Sequence, residues 1–401
     1  MFPFGYVLVT IIIILGAVLI KHGTKEQPKK IFNVYAQKGK WYYLKYIIIS
    51  LVIFIRRIKY YVYGKDNVEK IHNMEKLQML SSHNLAFDAV YFQAASQTGE
   101  YFCGGIERRH GGKIVGLFYI VHPDYGLLES EELPNTIMDA TVLSLYNQDS
   151  FSGGGMTFTP VVPMKKWKIG FNGTMKYQNN PQKRVHVTFE ADWISNYDWF
   201  FLEVDVPIST LARSLATEEW SEKLFQNLKN VHQRHYEQMG YINGTLEIDG
   251  KEYPIVKWDS FRDHSFGFKR DWSLMHRFIY TTLILSNKTK IVLGVVSQPI
   301  TMSHLEMGFV NHPDGRIHPV EKIDLLLYEH AENGVLPKEL SFTFEAEGVS
   351  YDVQMEFICE ATHYKGSHED IIITARFVKC VVNGIPGRGF SDWQYNKSIF
   401  K

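Results

Sequence analysis

Cysteine is scarce in this sequence of 401 residues, which contains only Cys103, Cys359 and Cys380. Three widely spaced thiols are too few for a disulfide framework or a cysteine-ligated zinc site. Cys359 and Cys380 could pair in an oxidising compartment, but isolated thiols are more often buried as small apolar residues. His363 and His368 lie in a polar segment and are expected to be solvated, which makes a poor metal site. We therefore expect no bound metal.

Net charge is also absent, because 43 lysine and arginine residues balance 43 aspartate and glutamate residues. A neutral chain lacks the basic field of nucleic-acid-binding proteins, so no nucleic-acid partner is expected. The glycine run Gly153-Gly-Gly155 lacks the Lys-Ser or Lys-Thr pair of a phosphate-binding P-loop. The sequence therefore predicts no cofactor.

Long apolar runs, by contrast, are present near the N-terminus. Residues 2–20 are almost wholly apolar and uncharged, and they are about long enough to cross the hydrocarbon core of a bilayer. The run lacks a basic leading region and a small-residue cleavage site. Residues 1–22 are therefore predicted to be a retained transmembrane anchor.

A basic linker at residues 23–80 follows and contains a second apolar stretch at 41–63. Residues 21–40 hold six lysines against Glu26, which favours a cytosolic position by the positive-inside rule. The second stretch is short for a span and carries tyrosines at both ends. This pattern favours a helix lying in the membrane interface, with its Lys and Arg side chains reaching the headgroups, although a membrane-spanning segment stays an alternative.

The side of the membrane on which the folded part lies depends on this second stretch. If the stretch crosses the bilayer, the rest of the chain is lumenal and open to N-glycosylation. The matching sequons begin at Asn172, Asn243, Asn287 and Asn396. The basic residues after position 55 favour the opposite arrangement, with the barrels on the cytosolic face of the endoplasmic reticulum or another endomembrane.

Beyond residue 80, short segments alternate apolar and polar residues, and aromatic residues make up 14% of the chain. In one segment Trp167, Ile169 and Phe171 alternate with polar neighbours, as in a half-buried strand. About sixteen such strands predict a mostly β protein with two antiparallel barrels of about eight strands each. The predicted barrels span residues 81–208 and 241–401.

Residues 209–240 interrupt this alternation. Apolar residues recur there at helical spacing, with acidic residues early and basic residues late. Gly240 is a typical residue at the end of a helix. We predict one long amphipathic helix that bridges the two barrels.

The most concentrated chemistry lies at residues 262–272, which hold carboxylates, an imidazole, cations, aromatic rings and a glycine. In a strand, Asp263 and His264 would face opposite sides, so at most one of them enters a barrel interior. Ser265 would accompany Asp263, and Phe266 would accompany His264. Such a cluster is either a hydrogen-bonded structural brace or a ligand or catalytic site.

Several further segments form an ordered set of motifs between about residue 85 and the end of the chain. They are Asp88-Ala-Val-Tyr-Phe92, Trp167-Lys-Ile-Gly-Phe-Asn-Gly173, His235-Tyr-Glu-Gln238, Asp263-His-Ser-Phe-Gly267 with Arg270-Asp-Trp272, and Gly387-Arg-Gly-Phe-Ser-Asp-Trp393. The set resembles a broad calycin-like family of two-barrel lipocalins, which includes carotenoid hydratases, lipocalin-type Diels–Alderases and membrane-anchored animal relatives. The resemblance implies a ligand cavity in a β-barrel.

In the hydratases, a histidine and an aromatic residue two positions later face the cavity beside a Tyr-x-Asp pair. The aspartate of that pair protonates a carbon–carbon double bond. His264 and Phe266 match the first pair, whereas the following strand reads Lys290-Ile-Val-Leu293 where the acid is expected. A hydratase mechanism in this chain would therefore need Asp263 or Asp271 as its acid.

Two functional hypotheses follow, with a structural barrel that binds no ligand as a third. The first is a membrane-anchored protein that binds or transfers an apolar lipid or isoprenoid, with the bilayer and that small molecule as partners. The second is a hydratase- or cyclase-like lyase or isomerase acting on an unsaturated lipid. Its acid–base group would be His264, oriented by Asp263 or Asp271. The predicted ligand contacts are Phe266, Arg270, Trp272, Trp167 and Phe171.

Overall fold

The computed structural model describes residues 10, 14–21, 27–63, 68–132, 137–139, 149–365 and 370–397. Most of this described part consists of antiparallel strands in two sheets, which confirms the prediction of a mostly β protein. Its labelled helices are α1 (Tyr42–Tyr63), α2 (Val68–Glu75), α3 (Leu202–Asp205), α4 (Ile208–Thr217) and α5 (Glu222–Asn230). Single 3₁₀ turns lie at His110–Gly112, Trp272–Leu274 and Leu327–Glu329.

The first sheet contains twelve strands. They are β1 (Phe87–Ala95), β2 (Tyr101–Arg108), β3 (Lys113–His122), β4 (Gly126–Ser130), β5 (Ile137–Asp139), β6 (Phe151–Gly153), β7 (Met156–Val162), β8 (Lys166–Tyr177), β9 (Asn180–Ile194), β10 (Trp199–Phe201), β11 (Gln233–Ile248) and β12 (Lys251–Gly267). Hydrogen bonding runs from β11 through β12, β1, β2, β3 and β4 to β8, and it returns to β11 through β9.

The interior of the first sheet is filled by aromatic side chains. On β8, Trp167, Ile169 and Phe171 are buried, as the alternation in the sequence predicts. The rings of Phe118 and Phe171 stack with their centroids 4.2 Å apart, and those of Phe102 and Phe189 lie 4.6 Å apart. Because large rings occupy this space, the first sheet encloses a packed core.

The second sheet is a closed barrel of eight strands. They are β13 (Arg277–Leu285), β14 (Lys290–Gln298), β15 (Met302–Asn311), β16 (Ile317–Ile323), β17 (Glu339–Ala346), β18 (Val349–Lys365), β19 (Ile371–Val382) and β20 (Ile385–Asn396). Aliphatic side chains and a few aromatic rings, among them Phe342, Phe344 and Trp393, form its core.

The boundary between the two units differs from the predicted one. Strands β11 and β12 were expected in the second barrel, but β12 pairs with β1, which places Asp263 opposite Tyr91. The first unit therefore extends to residue 267, and the second begins at residue 277. Pairing between strands more than 150 positions apart leaves no trace in the local pattern, so the strand count alone misplaced this boundary.

The predicted long helix at 209–240 is also wrong in its extent. The segment forms two short helices, α4 and α5, and then enters strand β11 at Gln233. The hydroxyl of Ser221 accepts a hydrogen bond from the Leu224 amide (3.1 Å) and so starts α5 as a separate helix. Residues 233–240 pair with β12, and this pairing overrides their helical spacing.

Helix α1 packs on the protein through one face, where Ile48 meets a cluster that contains Leu215 and Trp220. Its basic residues were expected to reach lipid headgroups, but two of them are buried. Lys45 donates a hydrogen bond to the carbonyl of residue 218 (2.6 Å), and Arg57 donates to the carbonyls of residues 203 and 206. For these two cations the prediction is wrong, because unpaired backbone carbonyls at helix ends offer closer acceptors.

The predicted anchor at residues 1–22 lies mostly outside the described residues. In the portion of the chain that is described, no helix has both the length and the apolarity needed to cross a bilayer.

The two units pack against each other through the outer faces of their sheets. Tyr101 on β2 donates a hydrogen bond to the carbonyl of Val378 on β19 (3.1 Å). Its ring lies 5.6 Å from the ring centroids of both Phe377 and Phe390. Elsewhere along the same boundary, the two sheets and the helices line a cavity.

Candidate functional site

Strand β12 sends its alternate side chains into two different environments. His264 points into the interior of the first sheet and is fully buried. Asp263 and Ser265 point the other way and line the cavity between the two units. The predicted separation of Asp263 from His264 is thus confirmed, and the two residues belong to different sites.

His264 belongs to a buried chain of hydrogen bonds. Its Nε2 lies 2.7 Å from Oδ1 of Asp88, and its Nδ1 lies 2.7 Å from the hydroxyl of Tyr236. Asp88 also accepts a hydrogen bond from Arg108 (2.7 Å). Both imidazole nitrogens therefore have partners, and the ring is packed against the ring of Phe151.

Glu75, at the end of α2, is the centre of this buried network. It accepts hydrogen bonds from Tyr236 (2.6 Å) and from the indole of Trp167 (2.8 Å), and it pairs with Arg262 (2.9 Å). Burial raises the pKa of Glu75, but Arg262 and the Tyr236 hydroxyl outweigh burial and lower the pKa below its ordinary value. The carboxylate is therefore ionised and held in place. We call this network of Glu75, Arg262, Tyr236, Trp167, His264 and Asp88 the brace.

Four of the predicted site residues belong to this brace or to the core beside it. His264, Phe266, Trp167 and Phe171 do not line the cavity. His264 is fully buried and both of its ring nitrogens have partners, so this geometry gives no support to its predicted role as the acid–base group. Trp167 and Phe171 are core residues, because the barrel interior that was expected to hold a ligand is filled by side chains.

The cavity between the units has a volume of about 1630 Å³. The outer faces of β1, β2, β3, β11 and β12 form one wall, and strands of the second barrel form the other. Helices α1, α4 and α5 and the segment between the last two contribute apolar side chains to the lining, together with a few cations of α1 and α5. The apolar side chains include Ile49, Val52, Leu211, Leu215, Trp220 and Phe225. The cavity therefore needs both units and the helices to be complete.

The part of the cavity wall around Arg270 and Ser265, called the polar end below, includes part of the segment 262–272. Arg270 pairs with Glu107 (3.0 Å) and donates hydrogen bonds to Gln233 (2.9 Å) and Ser265 (2.8 Å). Burial raises the pKa of Glu107, but neighbouring cations, Arg109 above all, outweigh it and lower the pKa to about 2. Arg270 and Trp272, predicted as ligand contacts inside a barrel, line this cavity between the units, and Asp271 lies there too.

Asp392 is the carboxyl group of the second barrel that faces this polar end. Tyr91 donates a hydrogen bond to it (3.3 Å), and the amide nitrogen of Gln93 lies 3.4 Å from the same oxygen. Burial raises the pKa of Asp392 to about 7 despite the Tyr91 hydroxyl, and the charge of Asp263 adds to the increase. Near neutral pH the group therefore exists in both its protonated and its ionised form.

Asp263 forms a second titratable cluster on the opposite wall, which belongs to the first sheet. Nε2 of His235 lies 3.8 Å from Asp263 and 3.1 Å from Glu237, which also accepts a hydrogen bond from Tyr280. Burial raises the pKa of Asp263 to about 6 against the opposing charge of His235. Burial lowers the pKa of His235, but the hydrogen bond and charge of Glu237 outweigh it and raise the pKa. Two carboxyl groups with raised pKa values thus line one cavity.

The sequence analysis missed most of these cavity residues. Tyr91, His235 and Asp392 stand inside motifs that served there only as markers of the fold. His363 was expected to be solvated, yet it is buried and lines the cavity, and burial together with Lys365 lowers its pKa to about 3. His368 lies outside the described residues. The sequence did not show which face of each strand points towards the cavity.

With this geometry established, the chain can be compared with known proteins. Residues 7–395 match a family of unknown function, DUF8627, and the chain belongs to that family. No curated protein matches the sequence.

Among solved structures, a crystal structure from Nitrosomonas europaea that is provisionally named AttH covers 78% of this chain and 94% of its own. The two share 10% sequence identity with a TM-score of 0.53, which establishes a common lipocalin-like fold and nothing about activity. Kievitone hydratase from Nectria haematococca has 10% identity, covers 78% of this chain and 89% of its own, and has a TM-score of 0.44. CghA has 9% identity, covers 80% and 94% of the two chains, and has a TM-score of 0.46. The TM-scores of these last two structures are below 0.5, so no inference about this protein is drawn from them.

Because Glu75 is the central carboxylate of the brace, its removal should strongly lower the stability of the protein. Glu75→Ala leaves Arg262 buried without its countercharge and should lower the free energy of unfolding by about 3–5 kcal/mol. The measurement is denaturant-induced unfolding of the purified protein. Asp192→Ala is the matched control, because the Lys166–Asp192 pair (2.9 Å) is 36% and 38% exposed. The control should change stability by less than about 1 kcal/mol. Equal losses in the two variants would contradict the brace.

The raised pKa of Asp392 predicts that the stability of the protein depends on pH. Because burial raises its pKa to about 7, the folded protein keeps a proton that the unfolded chain releases at a lower pH. This carboxyl therefore makes the fold progressively less stable as pH rises from about 4 to 7. Asp392→Asn is neutral throughout, so its melting temperature relative to the wild type should increase from pH 5 to pH 8. Parallel curves for the two proteins would contradict the prediction, and the exposed Asp192→Asn serves as control.

Proposed function

We propose that the protein binds or transfers an apolar or amphipathic small molecule, of the lipid or isoprenoid class, in the cavity between its two β units. The observation that carries the proposal is a cavity of about 1630 Å³ whose walls are mainly apolar. Typical small-molecule sites have about 300–1,000 Å³, so this one has room for a long hydrocarbon chain.

The mainly apolar lining of the cavity, together with its polar residues around Arg270, supports an amphipathic ligand. An apolar tail fits against α1, α4 and α5, whereas a polar head group fits beside Arg270 and Asp392. Two polar atoms of residues that line the cavity, Oε1 of Gln93 and Nε1 of Trp272, are buried and have no hydrogen-bond partner within the described residues. An acceptor and a donor of this kind would bind a hydroxyl or carbonyl group of the head.

Filling the cavity should abolish ligand binding. Val296 lies on β14 and lines the cavity beside Leu305, so Val296→Trp places an indole in the space that the tail needs. The molecule that copurifies with the wild type should then decrease about tenfold or more, as measured by mass spectrometry of the extracted protein. Val381→Trp is the matched control, because Val381 is 38% exposed on β19. Equal occupancy in both variants would exclude the cavity as the binding site.

The second candidate is an acid-catalysed isomerase or lyase that acts on an unsaturated lipid. The observation that favours it is the presence of Asp392 and Asp263, with pKa values of about 7 and about 6, in one mostly apolar cavity. In an isomerisation, protonated Asp392 would add its proton to one alkene carbon. Ionised Asp263 would remove a proton from the carbon beside the resulting cation, which shifts the double bond and balances the charge.

The same mass-spectrometric experiment separates the two candidates when Asp392→Asn is included. A binding protein should carry the same molecule in the variant as in the wild type. An enzyme should carry a different species, its unreacted substrate, because the proton donor is absent. Recovery of one identical molecule from both proteins would end the enzyme hypothesis.

We also propose that the protein works at a membrane, on the cytosolic face of the endoplasmic reticulum or another endomembrane. Support comes from the outer face of α1, where large apolar side chains three, four or seven positions apart are exposed. They are Tyr43, Ile47, Phe54, Ile58 and Tyr61. An exposed stripe of this length would be covered by lipid in an interfacial helix, with the predicted anchor at residues 1–22 holding it there.

Insertion of this stripe can be measured by tryptophan quenching. Phe54 is 49% exposed, so Phe54→Trp should add a fluorescence signal that vesicles of brominated phosphatidylcholine quench. Val349→Trp, at a residue 47% exposed in the second barrel, should add a signal that the same vesicles leave unchanged. Equal quenching of the two added tryptophans, or of neither, would contradict an interfacial α1.

A further inference from the structure

Two histidines and a glutamate meet at one end of the second barrel, and none of them lines the cavity. His312 follows the last residue of β15, and His318 is the second residue of β16. Val310 pairs with His318, so His312, two positions beyond Val310, shares a face of the sheet with His318. Glu347 lies in the turn between β17 and β18, and the pairing of Val320 with residue 346 brings this turn beside β16.

The donor atoms of these three side chains converge. One nitrogen of each histidine and one oxygen of Glu347 all lie within 4.8 Å of one another. Nε2 of His312 contacts Oε1 of Glu347, while Nε2 of His318 lies 3.4 Å from Oε2. Donors bound at about 2.0–2.1 Å to one tetrahedral zinc ion are about 3.3 Å apart, so only small side-chain shifts separate this cluster from a ligating geometry.

We propose that His312, His318 and Glu347 bind a divalent transition-metal ion, with zinc as the best match. Two imidazoles and one carboxylate are donors that zinc accepts, and three protein ligands leave its fourth position to water. The side chains are 19%, 33% and 21% exposed, so an ion can reach them from solvent. The site is independent of the proposed ligand cavity and of its function.

Arg316 provides a test in which a substitution should strengthen metal binding instead of weakening it. Its guanidinium lies 3.9 Å from Oε2 of Glu347 and pairs with Asp314 (2.7 Å), and its side chain is 61% exposed. A cation held so close repels a second cation at the cluster. Removing the charge should therefore strengthen metal binding, which a cluster that merely forms ion pairs would not show.

The experiment is a zinc chloride titration of the full-length protein, purified in detergent without a histidine tag, by isothermal calorimetry. The wild type should bind one ion per chain at this site. His318→Gln should weaken binding by about tenfold or more, and Arg316→Gln should strengthen it. His304→Gln is the matched control, because His304 forms a similar pair with Glu306 (3.4 Å) on the same barrel and belongs to no three-residue donor cluster in the described part of the chain.

Cobalt chloride gives a second measurement that does not depend on heat signals, since visible absorption reports the coordination geometry of bound cobalt. The tetrahedral bands expected with the wild type should be lost in His318→Gln and kept in His304→Gln. Melting temperatures without metal verify that each variant is folded. No zinc uptake by the wild type, or equal weakening in His318→Gln and His304→Gln, would overturn the proposal.

Discussion

The buried contact between Glu75 and Arg262 fixes the orientation of strand β12, on which the candidate site depends. Arg262 is fully buried, and its guanidinium lies 4.8 Å from the ring centroid of Trp193. An arginine in such surroundings requires a countercharge, and α2 supplies it from outside the sheet. Once Arg262 and His264 point inward, the alternation of the strand forces Asp263 and Ser265 to point outward. The polar end of the cavity is thus a consequence of the brace behind it.

The location of the cavity follows from how the interiors are filled. Lipocalin-like barrels are associated with a ligand in the barrel, but here aromatic rings occupy the interior of the first sheet and apolar side chains occupy that of the second. The cavity of about 1630 Å³ lies where the two sheets and the helices meet. A cavity of this kind has walls from separate parts of the chain, so its shape depends on how the two units are held together, with Tyr101 as one of the fixed contacts.

Placing carboxyl groups in such a cavity has a chemical consequence. Asp392 and Asp263 both lose hydration there, which raises both pKa values, and like-charge repulsion from Asp263 adds to the increase for Asp392, as repulsion from Glu237 does for Asp263. The same physics makes the pair suitable for hydrogen bonding to a neutral head group and for moving protons on an apolar molecule. Binding and catalysis therefore draw on one arrangement, and the family membership, which is to a family of unknown function, does not separate them.

The β architecture, the half-buried pattern of β8 and the opposite directions of Asp263 and His264 follow from the sequence alone, because they depend on a period of two residues that is visible locally. Arg270 and Trp272, predicted as ligand contacts inside a barrel, line a cavity that lies between the two units instead. Only the packing of the folded chain brings Tyr91, His235 and Asp392 to one cavity, since strands β1, β11 and β20 are distant in sequence. The tertiary structure likewise decided that β11 and β12 belong to the first unit and that His264 supports the fold. Long-range pairing and the filling of interiors are properties of the whole chain, and a local pattern does not encode them.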